Sequence, residues 1–247
     1  MRLDGRVTLV TGGAIRLGRA IVQALAEDGA TVAVHHHGSA DAAQALVAEL
    51  RSQGRRAQAF RADLGDDAQL SSLVTEVERA LGPIQVLVNS AARFTRAPFL
   101  DTDGATLDAE WRLNARAPFL LTQAVARGMV ERRDGVVVNV LDIGGAFVPW
   151  RNYAAYCMTK AALHMLTQVL ALELAPHVRV NGVAPGTVLP PEWLGPEERE
   201  QLRSRIPLAR LGTPEEVAAT VRFLVSGPEF ITGQVIAVDG GRIRGSP

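Results

Sequence analysis

The stretch "VTLVTGGAIRLG" (residues 7–18) decides how this chain folds. A short apolar run of β-type residues leads into a glycine-rich turn, and then into the opening of a helical pattern. Gly12 suits a tight turn, and Gly18 lets a helix begin close to a bound group. The unpaired N–H groups at such a helix start, together with its dipole, attract phosphate. Strand, glycine turn and helix in this order predict a dinucleotide cradle lined by Gly12, Arg16, Leu17 and Gly18. Arg16 adds a cation inside the turn.

Outward from this turn, apolar runs alternate with helix-period segments almost to the end of the chain. Strands are expected in 6–10, 30–34, 56–60, 84–89, 135–141, 178–183 and 234–238. Their apolar runs are continuous, as suits strands covered on both faces. Helices are expected over 17–28, 41–53, 66–81 and 212–225. The third opens after "GDD", and the last on Thr213, Pro214 and two acids. The alternation predicts a single doubly wound α/β domain over 1–247, a Rossmann fold. Its parallel sheet should have about seven strands, with helices on both faces. Residues 186–211 break the pattern with prolines at 190, 191, 196 and 207, and are expected to form an irregular substrate loop or lid.

Lys plus Arg and Asp plus Glu are 26 each, so no bulk charge invites nucleic acid or a membrane surface. Cys157 is the only cysteine, which excludes an intrachain disulfide and a cysteine-held metal cluster. No secretory h-region opens the sequence, and no apolar run reaches the ~18 residues of a membrane span. A cytoplasmic protein is expected.

The strand ends carry the ligand chemistry. An NAD site usually places an acid at the end of the second strand, on the ribose hydroxyls. Here that strand ends "VHHHGS" without one, while Arg16, His37 and Ser39 offer donors to a 2′-phosphate. The cofactor expected is NADPH. Successive histidines on a strand point to alternate faces, so "HHH" makes no metal cage and no metal is expected. In "ADL" (62–64), Asp63 either accepts from the adenine amino group, with Leu64 packed on the ring, or caps the next helix. "VNSAA" (88–92) ends the fourth strand in small residues around Ala91, which leaves room for a ligand.

Proton chemistry is concentrated in residues 137–163. Tyr156 and Lys160 are four apart and share a helix face. An ammonium ~4 Å from the phenol is worth roughly 4 kcal/mol at an effective dielectric of ~20. That is about 3 pK units, enough to bring a phenol of pKa ~10 close to neutrality. Asp142 ends the preceding strand and can add a carboxyl to the pair.

Taken together, these residues resemble the short-chain dehydrogenase/reductase family over essentially the whole chain. The matching pieces are the turn at 11–18, "ADL", Asn89, Asn114 in "LNARAPFLLT", Tyr156 with Lys160, "APG" (184–186) and "VDGG" (238–241). The resemblance implies acid–base work for Tyr156, and for Lys160 a grip on the nicotinamide ribose together with a lowered Tyr156 pKa. It implies a relay water on Asn114, cofactor contact at Asn89, and a nicotinamide lined by Pro185 and Gly186. It also implies a homotetramer, in which Arg242 or Arg244 would reach a neighbouring site.

Two departures from the family pattern narrow the resemblance. Asp142 stands where most members have serine, and Arg16 where most have glycine. With "VHHHGS", Phe94, Tyr153 and "DGGR", they resemble the pteridine reductase branch, including the dihydromonapterin reductases. That implies an NADPH-dependent reduction of a pterin or dihydropterin, with Phe94 stacked on the ring and Asp142 working beside Tyr156. Arg16 would span cofactor and substrate, and Tyr153 and Trp193 would line the substrate. The alternatives are a carbonyl reductase acting on a ketone or 3-oxoacyl group, and a non-catalytic NADP-binding sensor.

Overall fold

The computed structural model describes residues 3–190 and 195–245. Strands β1 (Val7–Val10), β2 (Thr31–His36), β3 (Ala57–Arg61), β4 (Ile84–Asn89), β5 (Gly135–Val140), β6 (Val178–Pro185) and β7 (Val235–Val238) form one sheet. All pairs are parallel, in the order β3-β2-β1-β4-β5-β6-β7. The helices are α1 (Arg16–Glu27), α2 (Ala40–Ser52), α3 (Asp67–Leu81), α4 (Gly104–Trp111) and α5 (Ala117–Arg132). They continue with α6 (Ile143–Ala146), α7 (Ala154–Glu173), α8 (Pro196–Ser204) and α9 (Pro214–Ser226).

The continuous apolar strands divide their side chains between two cores. Val10, Val34, Val88 and Val138 face one way, against Ile21 and Leu25 of α1, Leu46 of α2 and Val221 of α9. Leu9, Leu87 and Val137 face the other, against Leu73 of α3, Leu121 and Val125 of α5 and Ala171 of α7. Period-two alternation within an all-apolar strand supplies both faces at once.

The order in which successive strands are added to the sheet reverses between β1 and β4, and a crevice opens at the carboxyl ends of strands at such a point. Val10 is in register with Val34 and with Val88, so three strand ends lie level around it.

Three features differ from the sequence expectation. The segment 186–211, expected to be irregular, contains a helix, α8, with Pro196 in its first turn followed by Glu197 and Glu198. Those are ordinary helix-start signals, masked by the prolines around them. Second, α4 and α5 are joined through a π-turn at Arg112–Arg116, an arrangement with no sequence signature that tends to occur at functional sites. Third, Asp66 rather than Asp63 caps α3, accepting from the N–H groups of Ala68 and Gln69. Trp193 lies outside the described residues.

Candidate active site

The crevice holds a cleft of about 630 Å³. It is lined by the glycine turn (Gly12, Arg16, Leu17, Gly18), the end of β2 (His37, Ser39), Asp63, Leu64 and Ala91. The turn closes tightly, because a Cβ on Gly18 would stand 2.0 Å from the Gly12 carbonyl oxygen. Thr11 fixes the opposite wall, its Oγ1 accepting from the N–H groups of Ser90 (2.9 Å) and Ala91 (3.0 Å). His35 braces the turn from below. Its Nδ1 accepts the Gly12 N–H at 3.1 Å, and Nε2 lies 3.1 Å from the Ala62 carbonyl oxygen. Burial holds this imidazole neutral, with its pKa lowered to about 4. Among the described residues, no group of side chains suits a metal ion.

The donor set fits a dinucleotide carrying an extra phosphate. No acid ends β2, His37 is exposed, and Ser39 caps α2 without using its hydroxyl on that helix. A free hydroxyl at a helix N-terminus is an anion donor. Asp63 Oδ1 accepts the Gly65 N–H at 2.8 Å, which turns the carboxylate back on its own loop.

Arg16 has φ +51°, in the left-handed region. Glycine enters this region freely, whereas an arginine there costs on the order of 1 kcal/mol. Its guanidinium donates to the Leu189 carbonyl at 3.1 Å, so it ties the glycine turn to the segment that follows β6.

Beyond the cleft lies the proton machinery. Gly145, at φ +83°, allows the turn after β5 to lie against the backbone of α7, where a Cβ would meet the Cys157 carbonyl oxygen at 2.3 Å. That approach brings Asp142 to Tyr156, whose hydroxyl donates to Asp142 Oδ2 at 3.1 Å. Asp142 Oδ1 accepts the Gly144 N–H at 2.7 Å. Burial pushes the Asp142 carboxyl up to about 6, against the pull of the Gly144 N–H, Lys160, Tyr156 and Arg242.

The expectation that Lys160 brings the Tyr156 phenol near neutrality is overturned here. Burial and the adjoining Asp142 carboxylate hold its pKa well above the ordinary value. Lys160 Nζ instead donates to the Val140 carbonyl at 2.8 Å and sits 5.6 Å from the Tyr156 ring centroid. Its own pKa is lowered to about 8 by burial, opposed by Asp142 and Glu110. It is also the only lysine in the chain.

The side chains of Asn114 and Asn89 are both engaged within the protein. The Asn114 amide accepts the Arg93 N–H and donates to the Arg93 carbonyl, both at 2.8 Å, and donates to Glu110 at 2.9 Å. It thereby clamps the segment that carries Phe94. Glu110, fully buried, accepts the Thr95 N–H at 2.7 Å from the same segment. Asn89 donates to Asn139 (2.8 Å) and Thr122 (3.2 Å), so it shapes the end of β4 with a side chain used inside the protein.

Phe94 stacks on Tyr153 at 4.5 Å and 13°, and meets Tyr156 edge-on at 4.7 Å. Trp150 completes the aromatic wall. Pro185 and Gly186 end β6 on the same edge of the sheet, with the Gly186 N–H donating to Val238. Thr11, His35 and Glu110 were missed as site residues. Glu110 alone left a signal, a carboxylate one helical turn before Asn114.

A nucleotide cleft opening on a buried tyrosine, lysine and carboxylate defines a nicotinamide-dependent oxidoreductase. The chain belongs to the short-chain dehydrogenase/reductase family. The sequence profile described as enoyl-(acyl carrier protein) reductase matches residues 13–242. The chain is similar to the 3-oxoacyl-[acyl-carrier-protein] reductase of Thermotoga maritima, with 37% identity over 98% of this chain and 100% of that one. It is also similar to the L-xylulose reductase of Bos taurus, with 37% identity over 98% of each. Among solved structures, FolM Alternative dihydrofolate reductase 1 from Brucella canis, complexed with NADP, superimposes with a TM-score of 0.93. That pair is 35% identical over 100% of this chain and 97% of the other.

Proposed function

We propose that this enzyme uses NADPH to reduce a ring C=N bond of a dihydropterin. The observation that carries the reading is the Asp142–Tyr156 pair: a carboxyl titrating at about 6, bonded to a phenol that stays protonated. NADPH, when bound, supplies hydride to the ring carbon. The chain's own residues must then deliver a proton to the ring nitrogen. Asp142 and Tyr156 hold that proton at Oδ2 and Oη, and a carboxyl of pKa about 6 is matched to a weakly basic nitrogen near neutral pH. Phe94 has one face covered by Tyr153, and its exposed side offers a flat surface to a planar heterocycle. Lys160 and the ends of β4 and β6 would hold the nicotinamide ribose and ring. The glycine turn, His37 and Ser39 would hold the phosphates.

A carbonyl reductase is the second reading, favoured by relatives named as reductases of a 3-oxoacyl group and of L-xylulose. Against it, an ionised Asp142 beside Tyr156 opposes the oxyanion that develops during ketone reduction. NADPH oxidation assayed with dihydrobiopterin, dihydrofolate and a 3-oxoacyl thioester tests both. Turnover of the thioester alone would end the pterin reading. NADPH should bind at least ~10-fold more tightly than NADH, from one charge-assisted contact of ~1.5–3 kcal/mol.

The same proposal includes assembly with copies of itself. The outer face of α7 exposes Met158, Met165, Val169 and Leu172, and Phe119 of α5 is exposed as well. Apart from the buried Lys160, α7 carries no Lys, Arg, Asp or Glu before Glu173, so two copies related by a two-fold axis could pair these faces. Light scattering showing a monomer at micromolar concentration would remove this part. An NADPH-dependent reductase with one free thiol suits the cytoplasm, and no helix of the described residues is long and apolar enough to cross a membrane.

A further inference from the structure

Arg242 acts on Asp142 through its charge, but it hydrogen-bonds none of the groups in the proton chemistry above. The resemblance implied that Arg242 or Arg244 would reach a neighbouring site; within its own chain Arg242 lies beside Trp150 and Thr187. Its guanidinium is half-buried, 5.7 Å from the centroid of the Trp150 ring. It donates one hydrogen bond among the described residues, to Thr187 Oγ1 at 2.7 Å, in the segment that follows β6. Two carboxylates lie close enough to act on its charge, and neither pairs with it. Asp239 accepts the Gly241 and Ile243 N–H groups at 2.9 and 2.8 Å, and Asp142 accepts from Gly144 and Tyr156. A second guanidinium, Arg205 just past α8, is near enough to repel it. Neither arginine forms an ion pair among the described residues.

A half-buried cation without an acid partner costs the fold free energy, and a like charge beside it adds to that cost. Packing on the Trp150 indole offsets part of it, and still leaves donors of the guanidinium fork free. These are the conditions of a site completed by an external anion.

We propose that Arg242, assisted by Arg205, forms a subsite that seats a carboxylate of the substrate, so that the enzyme selects carboxylate-bearing substrates over neutral ones with the same reacting group. A guanidinium presents two parallel donors, which match a carboxylate. The bond to Thr187 connects that recognition to the segment that follows β6, which Arg16 holds through Leu189. The inference depends on the pterin reading only for its first substrate pair.

The test compares kcat/KM for two pairs in the NADPH-loaded enzyme. Dihydrofolate, with its glutamate tail, is set against dihydrobiopterin. A keto-acid, 5-dehydrogluconate, is set against the neutral ketose L-xylulose. Arg242→Gln should lower the carboxylate-to-neutral ratio at least tenfold in whichever pair is turned over, and Arg242→Lys should restore part of it. Arg205→Gln, at an exposed position that folding tolerates, should lower the same ratio about threefold. A ratio within twofold of the parent in both glutamine variants overturns the subsite. Loss of the pterin reading appears differently, as turnover of the second pair alone.

Discussion

Replacing Asp142 by asparagine should cost activity and raise stability, and the two effects share one cause. Burial moves the carboxyl from an ordinary 3.8 to about 6. The difference, about 2 pK units at 1.36 kcal/mol each, is about 3 kcal/mol between the two protonation states. Because the folded state holds this proton more tightly than the unfolded chain, the contribution to stability is greatest below about pH 4. It declines as pH rises through about 6, beyond which the ionised carboxylate weighs on the fold. Asparagine has the same shape, keeps an acceptor for the Gly144 N–H and does not ionise. Urea unfolding should therefore find the variant about 1–3 kcal/mol more stable at about pH 8, and indistinguishable at about pH 4. In the parent, kcat/KM for reduction should fall about tenfold per unit above about pH 6, and Asp142→Asn should be slow and lack that limb. The phenol should respond too, since the carboxylate that raises the Tyr156 pKa is gone. Tyr153 and Tyr156 are the only tyrosines, so an ultraviolet phenolate titration reports on the site alone. A variant that keeps the limb near pH 6, or gains no stability at pH 8, would refute the assignment of that proton to Asp142.

Other perturbations test separate parts of the site. Gly18→Ala should abolish NADPH binding in calorimetry, because its Cβ has no room beside the Gly12 carbonyl. Arg16→Gly should relieve left-handed strain and raise stability by up to about 1 kcal/mol in thermal unfolding, while NADPH affinity falls more than NADH affinity. Tyr156→Phe should remove most of kcat in the NADPH-oxidation assay and leave cofactor affinity nearly intact, as only the proton is lost. Glu110→Gln would turn an amide N–H₂ toward the Thr95 N–H or the Asn114 amide, which both already donate to it. It should cost about 1–3 kcal/mol in denaturant unfolding and raise KM through a loosened Phe94 segment.

Much of the molecule was legible without coordinates because its signals are local. The glycine turn needs only the run from Val7 to Gly18, and near-continuous apolar strands such as "VVVNV" already imply a sheet covered on both faces. Absence of an acid after β2 could be read directly, and so could the shared face of Tyr156 and Lys160. What tertiary structure decided depends on residues distant in sequence. Asp142 reaches Tyr156 because Gly145 admits the turn after β5 to the backbone of α7, and burial of the phenol together with that contact raises its pKa. Local spacing put Lys160 beside the phenol; the Val140 carbonyl on a neighbouring strand drew its ammonium away. Asn114 clamps Arg93 because a π-turn aims it there, and Arg242 comes to rest on Trp150 because the C-terminal turn folds back over the segment that follows β6. Periodicity and propensity act over a few residues, whereas burial and Coulomb interaction depend on which side chains the fold brings together.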